Sequence, residues 1–196
     1  MKARLERLIS SLTEGLIERD TPSRLILLSA LAGEHSLLVG PPGTAKSILA
    51  RKLHELFSGG EYFERLLTRF SVPEELFGPL SIKALENDQY HRQTEHYLPS
   101  ASIAFIDEIF KANSAILNSL LTILNEGEFD NGTKRQKVPL ISVVAASNEL
   151  PEGSELEALY DRFLIRYQVQ PVSEQQFKKL LLLSSETALD SLQELD

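Results

Sequence analysis

The sequence predicts an α/β fold, a five-stranded parallel sheet sandwiched by helices, and three observations predict it. Five apolar runs of strand length, Ser36 to Val39, Tyr62 to Leu67, Ile103 to Ile106, Leu140 to Ala146 and Leu164 to Val169, alternate with stretches of helical periodicity. The runs are short and separated by helices, as the strands of a parallel sheet covered on both faces are. The first run leads through Gly40-Pro41-Pro42-Gly43-Thr44-Ala45-Lys46-Ser47 straight into a helical pattern, the strand–turn–helix context of a βα unit.

Taken in order, Leu5, Leu8, Ile9, Leu12 and Leu16 fall on one stripe of a helix that ends near Gly15 to Asp20. Thr21 and Pro22 read as an N-cap and first helical residue, opening a second helix through Leu31. After Ser47, a helix carries Leu49, Leu53, Leu56 and Phe57 on one face. Two stretches interrupt the βα repeat. One runs from Val72 to Ser102 and is rich in Pro, Asn, Gln, His and Tyr; the other runs from Glu128 to Pro139, where Asn131-Gly132 favours a type I′ hairpin turn. Insertions into a compact scaffold are usually functional loops. Ser154 and Glu157 form a capping-box pattern opening a short helix through Phe163. After Pro171, Ser173 and Gln176 open another, with Phe177, Leu180 and Leu181 on its buried side. The expected organisation is an α/β core over residues 1–172 and the start of a C-terminal region over 173–196.

With 42% hydrophobic and 24% charged residues in 196, the chain has the composition of a soluble globular domain. A net charge of −8 argues against broad binding to nucleic acid or anionic lipid. No apolar run approaches the roughly 18 residues of a membrane span, and the N-terminal MKARLERLIS carries charges at helical spacing, so a cytoplasmic location is expected. Zero cysteines exclude disulfides and thiolate metal sites. His35, His54, His91 and His96 lack close metal-ligand spacing and read as packed or solvated histidines.

Three stretches carry chemistry. A glycine-rich turn on a helix N-terminus turns backbone N–H groups toward an anion, so Gly40 to Ser47 reads as a phosphate-binding loop. Lys46 would reach the β- and γ-phosphates of a bound nucleotide and Ser47 would bind Mg²⁺ through its hydroxyl. Ala45 stands where the GxxxxGK[ST] pattern has glycine, which suits alanine if φ there is negative. Ile103 to Glu108 is an apolar strand ending in two carboxylates at the sheet edge where ligands sit. Asp107 would hold Mg²⁺, through water, and Glu108 would polarise an attacking water. Asn148 ends the strand from Leu140, in line with the same edge.

The stretches TRFSVPEELFGP, HYLPS, FIDEIFKAN, LLTILNEGEF and ASNELP, spread over nearly the whole chain, resemble the MoxR family of AAA+ ATPases, and within it the RavA branch. The resemblance implies an AAA+ P-loop NTPase core, with a helix-2 insert before Asp107 and a pre-sensor-1 hairpin after Asn125-Glu126. It implies a sensor 1 role for Asn148 and an arginine finger at Arg162, with Arg166 as the alternative. It also implies a hexameric ring in which the finger reaches a neighbour's nucleotide, a von Willebrand factor A (vWA) domain partner, and chaperone-like remodelling of client protein complexes. AAA+ modules also carry a C-terminal helical lid with a sensor 2 arginine. The lid is expected to be missing after Val169, and hydrolysis and ring assembly depend on it. The competing readings are a magnesium-chelatase-type motor subunit, a nucleic-acid motor using Lys134, Arg135 and Lys137, and a non-hydrolysing scaffold. Lys46, Asp107, Glu108 and Asn148 together speak against the last.

Overall fold

The structure, a computed structural model, describes residues 2–182. The chain runs α1 (Lys2–Thr13), α2 (Asp20–Ala32), β1 (Ser36–Val39), α3 (Lys46–Glu55), β2 (Glu61–Leu66), α4 (Pro73–Phe77), α5 (Ile82–Leu85), β3 (Ala101–Asp107), α6 (Ser114–Glu126), β4 (Glu128–Asn131), β5 (Lys134–Lys137), β6 (Ser142–Ser147), α7 (Ser154–Tyr160) and β7 (Ile165–Gln168). A last helix, α8, covers 174–182, and the remainder of the expected 173–196 region lies outside the described residues.

The five expected strands form one parallel sheet in the order β2-β3-β6-β1-β7. Because all run the same way, their carboxyl ends share one rim, which brings together Gly40 after β1, Asp107 at the end of β3 and Asn148 after β6. Side chains alternate across the sheet. Leu37, Ala104, Ile106, Val143 and Ala145 face the layer that includes Leu76, Leu120 and Leu159 of α4, α6 and α7. Leu38, Ile103, Phe105, Val144 and Ala146 face Leu12, Ile26 and Leu49 of α1, α2 and α3. The two apolar layers explain the uninterrupted hydrophobic runs in β3 and β6.

The hairpin β4–β5 pairs Asn131 with Lys134, so the turn residues are Gly132 and Thr133, one step beyond the expected Asn-Gly pair. Only Gly132 has positive φ (66°) in this turn, whereas a type I′ turn needs it at both central residues. The side chain of Asn131 explains the shift. It is buried, its Oδ1 accepts the Arg92 backbone N–H at 2.7 Å, and its Nδ2 donates to the Arg92 carbonyl at 3.1 Å. A β-carbon at Gly132 would fall 1.7 Å from the Tyr90 carbonyl oxygen, and Phe129 stacks on Phe77 at 5.3 Å between centroids. Residues 72–102 and the hairpin are thereby one packed body. Asn131→Ala leaves both Arg92 backbone groups without these partners in a half-buried place. It is expected to lower stability by about 2 kcal/mol, read by urea unfolding.

Three helices differ at their ends from the sequence reading. α2 starts at Asp20 with Arg19 at the cap position and no side-chain cap, so Thr21 is not its N-cap, and Pro22 sits in the first turn where a missing N–H is harmless. α7 is capped by Gly153 at φ 96°, with Ser154 already helical and making no cap, and it stops at Tyr160 instead of Phe163. Ser173 does not cap α8 through its side chain; its Oγ donates to Glu18 Oε1 at 2.6 Å. Phe177, Leu180 and Leu181, expected to be buried, are exposed. Spacing establishes that a helix has an apolar face and is silent on what covers it.

His35, at the entry to β1, is buried with both ring nitrogens engaged. Nδ1 accepts the Val143 N–H at 3.2 Å and Nε2 lies 3.3 Å from the Leu124 carbonyl, a pattern that only the neutral, Nε2-protonated ring satisfies. Burial holds its pKa below the ordinary 6.5, against a smaller upward pull from the Leu124 bond. As pH falls the unfolded chain takes up this proton before the folded chain does. Stability is therefore full above about pH 6.5 and declines below it, by up to about 1.4 kcal/mol per pH unit. Urea midpoints for His35→Gln are expected to lose that slope between about pH 6.5 and 5.

Candidate functional site

The turn between β1 and α3 is shaped by close packing. Gly40 donates its N–H to the Ser147 carbonyl at 3.0 Å, and a β-carbon there would fall 2.3 Å from the Val169 carbonyl oxygen, so only glycine lets this turn lie against the exit of β7. Thr44 Oγ1 donates to the Pro41 carbonyl at 2.9 Å and closes the loop on itself. Ala45, expected at negative φ, instead has φ 66° and ψ 24°, the left-handed region. An alanine held there costs about 1–2 kcal/mol, so this loop is strained where glycine would not be.

Lys46, at the N-terminus of α3, is buried, with Nζ donating to the carbonyls of Gly40 at 2.7 Å and Pro41 at 2.9 Å and lying 3.5 Å from Asn148 Oδ1. Burial lowers its pKa, and the nearby Asp107 and Glu108 offset part of that. Its ammonium thus folds back on the loop it serves. Asn148 Nδ2 donates to Glu108 Oε1 at 2.5 Å, and Lys111 Nζ lies 3.3 Å from Glu108 Oε2. Both oxygens of Glu108 are engaged, and the residue itself sits at φ 54°, a left-handed turn directly off β3. Asp107 Oδ1 accepts the Glu108 N–H at 3.0 Å.

Lys46, Asp107, Glu108 and Asn148 line one cavity of about 570 Å³. Pro42 through Ser47 form one wall, Asp107, Glu108 and Asn148 another, and Gly15 to Ile17, Val172 and Leu180 the apolar end. The loop's N–H groups, the α3 dipole and Lys46 make one end attractive to an anion, while the apolar end suits a flat ring. The hydroxyl of Ser47 and the carboxylate of Asp107, both on this cavity, are hard oxygen donors of the kind Mg²⁺ takes, so the residues present fit that ion.

Arg162 does not line the cavity. It stands exposed after α7 and makes no side-chain bond among the described residues. Arg166, the alternative, is committed: Nη2 meets Asp161 Oδ1 at 3.2 Å, Nε donates to the Phe163 carbonyl, and the guanidinium lies 4.1 Å from the Tyr160 ring centroid. Two residues of the site were not singled out from sequence. Lys111 is three residues after Glu108, a spacing that could have flagged it; Arg19 lies in the polar run Glu18-Arg19-Asp20, and no local pattern marks it.

Residues 3–194 match the family described as the MoxR domain in the MoxR-vWA-beta-propeller ternary systems. Two uncharacterized proteins of Methanocaldococcus jannaschii are each 50% identical to the chain over 93% of its length, which is 48% and 49% of theirs. The chaperone MoxR1 of Mycobacterium tuberculosis is 24% identical over 90% of the chain and 47% of its own length. The chain thus spans about half the length of these relatives. Among solved structures, a candidate ATPase of Cytophaga hutchinsonii superposes with a TM-score of 0.72 at 17% identity, over 91% of this chain and 54% of that one. NtrX of Brucella abortus in complex with ATP superposes at 0.55 and 22%, over 86% and 42%. No helix among the described residues is long and apolar enough to cross a membrane.

Proposed function

The chain belongs to the MoxR domain family of the MoxR-vWA-beta-propeller systems, and from that premise we propose that its cavity binds ATP with Mg²⁺ and hydrolyses it. The convergence of Lys46, Asp107, Glu108 and Asn148 on one rim carries this reading, because it puts a phosphate cradle, hard oxygen donors and a carboxylate base within reach of one γ-phosphate.

The backbone from Gly40 to Ala45 holds the phosphates, and Lys46 leaves its own loop's carbonyls to reach the β- and γ-phosphates. Ser47 and Asp107 would hold the magnesium, which would supply positive charge against the phosphates. Glu108 orients a water and takes its proton as the oxygen attacks phosphorus and the bond to ADP breaks. Asn148 bridges Glu108 and Lys46 and so links the base to the phosphate end. Arg162 acts on the nucleotide of a neighbouring copy in a ring, a hexamer by family resemblance. The lack of any side-chain bond to Arg162 among the described residues supports that.

Residues 1–172 are the nucleotide-binding core, and the chain from 173 begins the region that leads to a lid. A vWA-domain partner and chaperone-like remodelling of protein complexes in the cytoplasm complete the proposal; the placement beside RavA rests on the sequence motifs alone. The nucleic-acid motor is the weaker reading. Of the three cations on the hairpin, Arg135 is held by Asp130, Glu126 and Glu128.

Lys46→Ala tests the site. ATP affinity is expected to fall by at least about tenfold, the order of one charge-assisted phosphate contact, as read by titration calorimetry. Unchanged affinity would remove the nucleotide from this cavity.

A further inference from the structure

Arg19 is 4% exposed, yet among the described residues no carboxylate lies within ion-pair distance of it. Its guanidinium is spent instead on three backbone carbonyls: Nη1 donates to Glu18 at 2.7 Å, Nε to Thr44 at 3.0 Å and Nη2 to Gln170 at 3.0 Å. A buried cation satisfied only by carbonyl dipoles is costly, and burial lowers its pKa accordingly. Such a group persists where the geometry it imposes is needed. The three carbonyls belong to the three segments around the cavity: the turn before α2, the phosphate loop and the exit of β7. The neighbouring Glu18 extends the clasp, taking the Ser173 N–H at 2.7 Å and hydroxyl at 2.6 Å.

The Thr44 contact bears on the strained residue. Fixing the Thr44 carbonyl fixes the plane of the Thr44–Ala45 peptide, and rotation of that plane is what sets φ at Ala45. Left to itself an alanine leaves the left-handed region. If it did so here, the Ala45 N–H would swing out of the row of amides that face the anion. On the other side, Gly40 is pinned against Val169, the residue before Gln170, so the loop is gripped at both ends from the β7 exit.

We propose that Arg19 is a positioning residue that holds Ala45 in the left-handed conformation and so keeps the phosphate loop shaped for the nucleotide, standing in for the glycine the loop pattern has at that place. This rests on the reading of the cavity as an ATP site.

The test is a double-mutant cycle in the full chain, with dissociation constants for MgATP and melting temperatures measured for wild type, R19M, A45G and R19M/A45G. R19M is expected to weaken MgATP binding by about tenfold, the order of the left-handed penalty. A45G alone sets the reference for the glycine background, and R19M/A45G is expected to bind within about twofold of A45G, so that most of the R19M loss disappears. A purely structural role for Arg19 would not be rescued by glycine at 45. The inference is overturned if R19M binds MgATP like wild type, or if A45G leaves the R19M defect in full. If R19M does not fold, the same cycle is run with R19K, which keeps the buried cation but cannot span three carbonyls. Hydrogen exchange of the Ala45 and Lys46 amides without ligand separates the two readings. Faster exchange in R19K with no ATP binding by wild type would fail the ATP site and keep the clasp; unchanged exchange would fail the clasp.

Discussion

Glu108→Gln is expected to lower ATP turnover by about 10²–10⁴-fold while ATP stays bound. Glutamine has the same shape, and its amide oxygen can still accept from Asn148 Nδ2, so the wall of the cavity is retained. What goes is the negative charge that draws a proton from water, and with it the ion pair to Lys111. Single-turnover rates and MgATP affinity measured together check this. Loss of both would mean Glu108 shapes the site instead of acting on the water, and normal turnover would remove it from the chemistry.

Arg162→Ala is expected to lower turnover by about 10³–10⁵-fold in the assembled protein, the range seen when an arginine finger is lost. Its effect on ATP affinity of an isolated subunit should be small, because Arg162 does not reach its own cavity. Wild-type turnover per subunit should rise with protein concentration, since the finger arrives only with a neighbour. Arg166→Ala serves as the contrast. That side chain is tied to Asp161, Phe163 and the Tyr160 ring, so its removal should cost about 1 kcal/mol of stability and leave most of the rate.

The sheet was legible because strands covered on both faces must be apolar throughout, and β1, β3 and β6 are. The rim residues were legible for a related reason: a residue that ends a parallel strand has one place to go, so Asp107, Glu108 and Asn148 share an edge, and Lys46 joins them through the turn from β1 into α3. What was not legible depends on partners far away in sequence. Ala45 takes positive φ because Arg19, twenty-six residues earlier, grips the preceding carbonyl. Asn131 gives up the turn position that Asn-Gly favours because Arg92 offers its backbone two buried hydrogen bonds. Thr21 loses the cap of α2 because Asp20 is already helical. Local propensity is worth about 1–2 kcal/mol at Ala45 and about 1 kcal/mol or less at Asn131 and Thr21, small enough for distant hydrogen-bond partners to override it.

The most direct measurement of the central claim, a hydrolytic site completed by the next subunit, is complementation between two inactive full-length variants. Glu108→Gln and Arg162→Ala proteins are each assayed alone, then mixed. Alone, each should be nearly inactive. In the mixture, subunits that keep Glu108 will meet neighbours that keep Arg162 at about a quarter of the interfaces of a randomly mixed ring, and turnover should return toward that fraction of wild type. A mixture that co-assembles and binds ATP yet stays as inactive as its parts would contradict the account.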